Sequence, residues 1–490
     1  MYSEEPPAYL PRGGACVVCR KKKTKCHGEK PVCSSCVRSG MERDCVYDNT
    51  PAPNIQRDLE RQIAELDGRI QGLMQRRGPE ASRTASRNSP PPEAAQNLTN
   101  YFLPHALKLG CVLDLKRAFS HSHTMPASNA LRTAVYLWGI KLSGDANYLQ
   151  HEQDYLTKTL RAMQAALSWA QQNQLNTLHL IQAEILVANY FFSYGRWAEG
   201  QAHTTAMVSL ALASGLHKLP PPVQNLVEEV EKINVWWTVF SMENWWSALL
   251  DVPSRLMDSG ESALGIDTPW AQAVGAPFAN ESFYGQTVFR FLSDVRTGPA
   301  SSPLSLQAQS AVLLAMSAEV ASYQGQGDPQ QFVNMFSALD QSLEMFKRSL
   351  PVVARTPPLP LGISHDLLIA HSLVHAATIR MYKGFITTNP EALPKCLSAS
   401  FAIIELITTA NVRQMNFVHP VVAMLWGTAC EIIVNLLSHM RRSPPSRAAS
   451  GLPGPEALQA SLRQLASAMS QCAGSVPLFG SQLEKLQHLL

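Results

Sequence analysis

The chain has 490 residues, 46% of them hydrophobic and 16% charged, with 33 prolines and 27 glycines. This composition excludes a wholly disordered protein, a collagen-like fibre and a small disulfide scaffold, and the length predicts two to four domains. Net charge is only +3, but residues 1–88 hold 16 Lys/Arg against 11 Asp/Glu, while the remainder holds 25 against 27. A basic front end on a near-neutral body points to a polyanionic partner held by one small part.

Residues 1–15 are polar and Pro-rich and read as a flexible tail; they have no apolar h-region of a secretory signal. Residues 16–47 contain six of the ten cysteines, Cys16, Cys19, Cys26, Cys33, Cys36 and Cys45. The other four, Cys111, Cys396, Cys430 and Cys472, lie mostly among apolar neighbours and read as core thiols. The absence of a signal predicts an intracellular, reducing location, where clustered cysteines bind metal more often than they cross-link. The spacing is C-x2-C-x6-C, then C-x2-C-x8-C. Zinc takes four tetrahedral ligands, so six thiolates fill two sites only if two sulfurs each serve both metals. The near repeat suits such a shared centre, with two Zn2+ ions as cofactors and His27 outside it. Between the second and third cysteines, Arg20–Lys25 places five positive charges in six residues.

Cys16–Cys45, with its basic run C-R-K-K-K-T-K-C and Pro31, resembles the fungal binuclear zinc cluster (Zn2Cys6) transcription factors, without a gap or a missing ligand. The resemblance implies that Cys16 and Cys33 bridge the two ions. It implies that each half is a short helix followed by an extended strand, and that the first helix points its end into the major groove of double-stranded DNA. Lys23 falls at the base-reading position, with Lys22 beside it, and the usual targets are CGG-type triplets. Lys and Arg pair with guanine O6 and N7 there, while other basic residues neutralise phosphates; Arg20 and Lys25 suit the phosphate role. The other use of such a cluster is a zinc module that docks a protein.

One module reading three base pairs cannot select a genomic site, since each correct pair contributes only about 1–3 kcal/mol. Two copies are therefore expected. After a linker at 48–55, residues 56–77 carry Leu59, Ile63, Leu66, Ile70 and Leu73 in 4-3-4-3 spacing. Ile at a and Leu at d favour a parallel two-stranded coil, which predicts a short coiled-coil dimerisation helix and a homodimer. Residues 78–97 are rich in Ser, Pro and Arg and read as a disordered linker.

From residue 98 to 490 apolar residues recur every three or four positions with no sustained alternation, predicting a large all-α domain. The chain is therefore mostly α: a small zinc module, a short coiled coil and a large helical domain. Within residues 98–275, Ala206–Leu219, Glu228–Leu250, Asp251–Leu256 and Ile266–Trp270 resemble the middle homology (regulatory) region of the same family. Two departures stand out: Lys232-Ile233-Asn234 precedes where basic residues are usual, and Glu243-Asn244 stands where an acidic-basic pair is usual. No salt bridge is carried over to these positions. Val230, Ile233, Trp237 and Phe240 line one face of the predicted helix, and Trp236, Trp245 and Trp246 imply burial on several sides. Core packing is the plain use of these aromatics; a pocket for a small-molecule effector is the other.

No P-loop, GxSxG, HExxH or Rossmann fingerprint occurs, so an enzyme is not expected. His121-x-His123 reads as exposed loop, and His203 and His217 as structural. The most apolar runs, near Ile181–Phe192 and Val421–Leu437, read as too short for a bilayer, so no membrane partner is expected. The resemblance implies a nuclear transcription regulator with co-regulator proteins as further partners.

Overall fold

The computed structural model describes residues 14–47, 90–120, 126–168, 174–221, 227–257, 265–271, 285–294, 302–323, 328–353, 361–442 and 452–489. Among them every regular element is a helix, and no strand occurs. The chain divides into two units, Met1–Pro90 and Pro91–Leu490. The heptad positions Leu59, Ile63, Leu66, Ile70 and Leu73 lie outside the described residues, as do the 48–55 linker, His121 and His123.

The first unit contains α1 (Val17–Lys22) and α2 (Ser34–Arg38). The second starts with α3 (Pro92–Phe102), which begins inside the 78–97 stretch expected to be disordered. Its local signals explain the difference: Pro92 and Glu93 open the helix, with proline preset for the first turn and the acid facing the positive helix end. Leu98 and Phe102, one turn apart, are then buried.

The remaining helices are α4 (Leu115–Ser120), α5 (Pro126–Ser143), α6 (Ala146–Leu149), α7 (Glu152–Leu167), α8 (Gln174–Ser193), α9 (Trp197–Ala213), α10 (Val227–Leu249), α11 (Thr287–Ser293), α12 (Pro303–Ser322), α13 (Pro329–Ser349), α14 (Leu361–Tyr382), α15 (Ala392–Thr409), α16 (Pro420–Arg442), α17 (Pro455–Cys472) and α18 (Pro477–Leu489). Packing passes from one helix to the next: α3, α7 and α8 lie on α5, α9 joins α8 to α10, α10 meets α12, and α12 meets α14. Beyond it α14, α15 and α16 pack together, with α17 and α18 on α16.

Helix α10 shows why this unit needs its aromatics. Every residue from Ile233 to Ala248 is buried, as expected of a helix that is apolar on all sides. Two of its hydroxyls are satisfied locally: Thr238 and Ser241 donate to the carbonyls of Asn234 and Trp237 at 2.8 and 2.7 Å. Trp246 stacks on Phe192 of α8 at 3.9 Å, and Trp237 stacks on Trp270 at 4.2 Å. These rings fill the core, which is the plain reading of the tryptophans.

Three helices, α12, α15 and α16, are long and apolar enough to cross a membrane by length and composition. For α16 this corrects the sequence reading, because the helix runs 23 residues, past both ends of the Val421–Leu437 run. From half to nearly three quarters of each apolar window is buried inside the fold, so their apolar surface serves helix packing.

Candidate metal centre and nucleic-acid interface

The two halves of the zinc module repeat one local design, offset by 17 residues. Cys16 and Cys33 are the N-caps of α1 and α2, and their sulfurs accept from the backbone N–H of Cys19 and Cys36, each at 3.4 Å. This is the usual N-cap arrangement with sulfur in place of a hydroxyl. After the helix, Thr24 N–H reaches back to the Cys19 carbonyl at 3.0 Å, and Met41 N–H to Cys36 at 2.9 Å. Between them sit Lys23, with φ +52°, and Gly40, with φ +63°. A six-to-one bond around a left-handed residue is a common helix stop. The segments that follow the helices carry no strand.

This local design converges the six thiols. Cys16, Cys19, Cys26 and Cys33 form one group of four and Cys16, Cys33, Cys36 and Cys45 a second, the sulfurs of each within 4.8 Å of one another. The groups share Cys16 and Cys33, whose sulfurs are 3.8 Å apart. All six cysteines are buried, at 9% exposure or less, and none is in a disulfide. Burial disfavours thiolate in all of them. At Cys16 and Cys33 burial is the largest single influence, but the donated N–H and the hydrogen bonds of the neighbouring thiols together exceed it, and these thiols fall below their usual range. At Cys19 burial, reinforced by the Cys16 sulfur, pushes the thiol up to about 11, and Cys36 is pushed up for like reasons. Crowded, buried thiols suit a site whose charge is balanced by bound metal. The six cysteines are thus positioned for the two zinc ions of a binuclear cluster, four sulfurs to each.

The module is closed by contacts the cysteine spacing does not announce. Val17 N–H bonds the Val46 carbonyl at 2.9 Å, tying its two ends together. Glu29 accepts from Ser34 N–H at 2.9 Å at the start of α2. Tyr47 donates to the Glu29 carbonyl at 2.9 Å and lies 3.8 Å from the Cys26 sulfur, while Lys30 sits over its ring. The only sequence signal was an aromatic two residues after the last cysteine.

The basic run is exposed throughout. Arg20 donates to the Ala15 carbonyl at 3.0 Å, and the Lys22 ammonium lies 2.9 Å from the Met41 sulfur, towards the second half. Lys21 and Lys22 close the last turn of α1, where cations complement the negative helix end. Lys23 follows as the left-handed stop, and Lys25 is exposed beyond it.

In the helical unit the segments singled out by sequence meet in space. Thr268 donates to the Leu216 carbonyl at 2.6 Å and accepts from Leu219 N–H, so the segment after α10 clasps the end of α9's extension. The Trp237 indole donates to the Pro269 carbonyl at 2.6 Å. Among the ion pairs unread in the sequence, two hold buried acids of α10. Glu243, fully buried, accepts from both Arg255 N–H and its guanidinium at 2.9 Å. A salt bridge is therefore present at Glu243 after all, with its cation twelve residues on rather than adjacent. Glu231 accepts from Asp114 N–H at 2.8 Å and pairs with Arg117 of α4. His203 Nδ1–H donates to the Glu184 carboxylate at 2.6 Å, a structural contact.

The fungal Zn(2)-Cys(6) binuclear cluster domain model matches residues 14–53. The fungal specific transcription factor domain model matches residues 108–262. Among curated proteins, oleate-activated transcription factor 1 of Saccharomyces cerevisiae is 55% identical over 42 residues, 8% of this chain and 4% of that protein. Two Zn(2)-C6 fungal-type transcription factors of Fusarium oxysporum, FTF1c and FTF2, are 39% identical over 61 residues and 32% over 78. Those stretches are 11% and 15% of this chain, and 6% and 7% of the relatives. The chain therefore matches, one after the other, a fungal Zn(2)-Cys(6) binuclear cluster domain and a fungal specific transcription factor domain, and its likeness to these curated relatives spans only a small part of their length.

Proposed function

We propose that this protein is a nuclear, zinc-dependent, sequence-specific DNA-binding transcription factor of the RNA polymerase II type that reads CGG-like triplets as a homodimer. The observation that carries this reading is Lys23. The second half places Gly40 at the equivalent left-handed position, with nothing within 4 Å of where a Cβ would stand. Glycine is the cheap residue for that conformation, and a lysine kept there points to a task for its side chain. Lys23 is the base-reading residue in this proposal, with Lys22 beside it and Arg20 and Lys25 on phosphates. Cys16, Cys19, Cys26, Cys33, Cys36 and Cys45 hold the two zinc ions, Cys16 and Cys33 bridging. Leu59, Ile63, Leu66, Ile70 and Leu73 form the dimer seam, resting on heptad spacing alone.

The test is selection of bound DNA from random sequence by the zinc-loaded full chain and its Lys23→Gly variant. Paired CGG-like triplets at one spacing are expected for the first, and loss of enrichment with unchanged zinc content for the second. Zinc bound with no DNA enriched would sink the reading in favour of a protein-docking module on a helical scaffold. A single enriched triplet would keep the DNA reading and remove the homodimer.

A further inference from the structure

The six cysteines are not held alike. Cys16 and Cys33 cap α1 and α2, Cys19 and Cys36 lie within those helices, and Cys45 follows the short turn Glu42–Asp44. Cys26 stands apart from these elements, in the irregular 24–33 segment between the two helices, and at 9% it is the most exposed of the six. Three contacts tie that segment to α2. Ser35 donates to the Lys25 carbonyl at 2.6 Å, His27 Nδ1 lies 3.1 Å from the Ser35 hydroxyl, and Ser34 N–H donates to the Glu29 carboxylate at 2.9 Å. A fourth comes from the far end of the module, where the Tyr47 hydroxyl donates to the Glu29 carbonyl at 2.9 Å.

The same hydroxyl lies 3.8 Å from the Cys26 sulfur. It has one hydrogen and so serves one strong acceptor at a time. A thiol leaves that hydrogen to the carbonyl, whereas a thiolate is a charged acceptor and competes for it. In either disposition the hydroxyl bears on Cys26, directly or through the backbone three residues on. Outer partners of this kind orient metal ligands, and losing one weakens metal binding by about 10- to 100-fold. Cys45, the third cysteine of the second half, has its sulfur on the backbone N–H of Cys33 at 3.3 Å and no hydroxyl against it among the described residues. The two groups of four sulfurs share Cys16 and Cys33 but not Cys26, so what Tyr47 does falls on one group.

We infer that the Tyr47 hydroxyl is a positioning group for one of the two zinc ions, the ion on Cys16, Cys19, Cys26 and Cys33, and not for the ion on Cys16, Cys33, Cys36 and Cys45. The inference rests on the two-ion cluster and is independent of the DNA reading.

Cadmium NMR of the full chain loaded with cadmium, and chelator titration of the same chain loaded with zinc, test this. Fewer than two equivalents bound by the unaltered chain would sink the binuclear cluster itself, and this proposal with it. Tyr47→Phe keeps the ring beneath Lys30 and removes the hydroxyl. One cadmium resonance should shift while the other stays, and one equivalent of zinc should leave at about tenfold lower chelator concentration with the second unmoved. Lys30→Gln removes the cation and keeps the hydroxyl, and it should move neither readout. Both ions weakened alike by Tyr47→Phe would make the residue a general closure of the module and overturn the proposal. So would two unmoved resonances, or the same selective loss from Lys30→Gln.

Discussion

At Lys23 the chain carries a side chain on left-handed backbone that costs an L-residue about 1–2 kcal/mol. Replacing it with glycine relieves that cost, so Lys23→Gly should raise the zinc-loaded module's resistance to denaturant while abolishing specific DNA binding. A module that becomes less stable on this change would contradict the strain argument. Gly40→Ala should do the reverse and weaken the module by about 1 kcal/mol, from backbone strain alone because the space around it is open. In the helical unit, Arg255→Ala strands the buried Glu243 carboxylate and should cost about 3 kcal/mol in urea denaturation; a loss below 1 kcal/mol would mean water replaces the guanidinium. These residues differ in how readable they were. The cysteines announced themselves, because ligand spacing is a local property. The partner of Glu243 did not, because a buried acid states that it needs a cation without saying which one.

Helix positions followed from apolar periodicity, but how closely two helices approach is set by single small residues whose neighbours are remote in sequence. Gly139 of α5 faces the backbone of α3: a Cβ there would stand 2.2 Å from the Leu98 carbonyl oxygen. Backbone cannot rotate aside as a flexible side chain can, so Gly139→Ala should force α3 and α5 apart and cost about 1–3 kcal/mol, read as a lowered melting temperature. Gly454, with nothing within 4 Å, serves as the control, and alanine there should change little. Neither behaviour is written in the sequence, where one glycine falls within an apolar helical run and the other just before one. The start of α3 was misplaced for a related reason: Pro92 and Glu93 favour a first turn, but composition averaged over 78–97 is dominated by Ser, Pro and Arg.

For the whole chain, division into two units means that zinc holds one part and buried histidines make the other acid-sensitive. Chelating the zinc should unfold residues 16–47, whose buried apolar cluster is built largely of the six cysteines, and leave the helical unit folded. A far-UV signal that collapses throughout on chelation would refute this. Acid should weaken the helical unit by a route of its own. Burial pushes His179 down to about 4 and His419 down to about 3, while an unfolded histidine titrates near 6.5. Between those values the unfolded chain holds more protons, so their contribution is complete above about pH 6.5 and is lost as pH falls towards 4 and then 3. Urea midpoints should therefore drop between pH 7 and pH 5; a flat profile would show that these rings do not uptake protons on unfolding.

The aromatic packing around α10 also labels the molecule for optical work. All nine tryptophans lie beyond residue 90, and Trp138, Trp236, Trp237, Trp246 and Trp426 are among its most buried side chains. Indole emission should shift to the red only when the helical unit opens, and it is silent about the cysteine module. Absorbance of the thiolates near the ultraviolet edge reports the module instead. A single denaturation watched at two wavelengths would thus resolve two melting events from one unmodified chain, with no dye, tag or truncation.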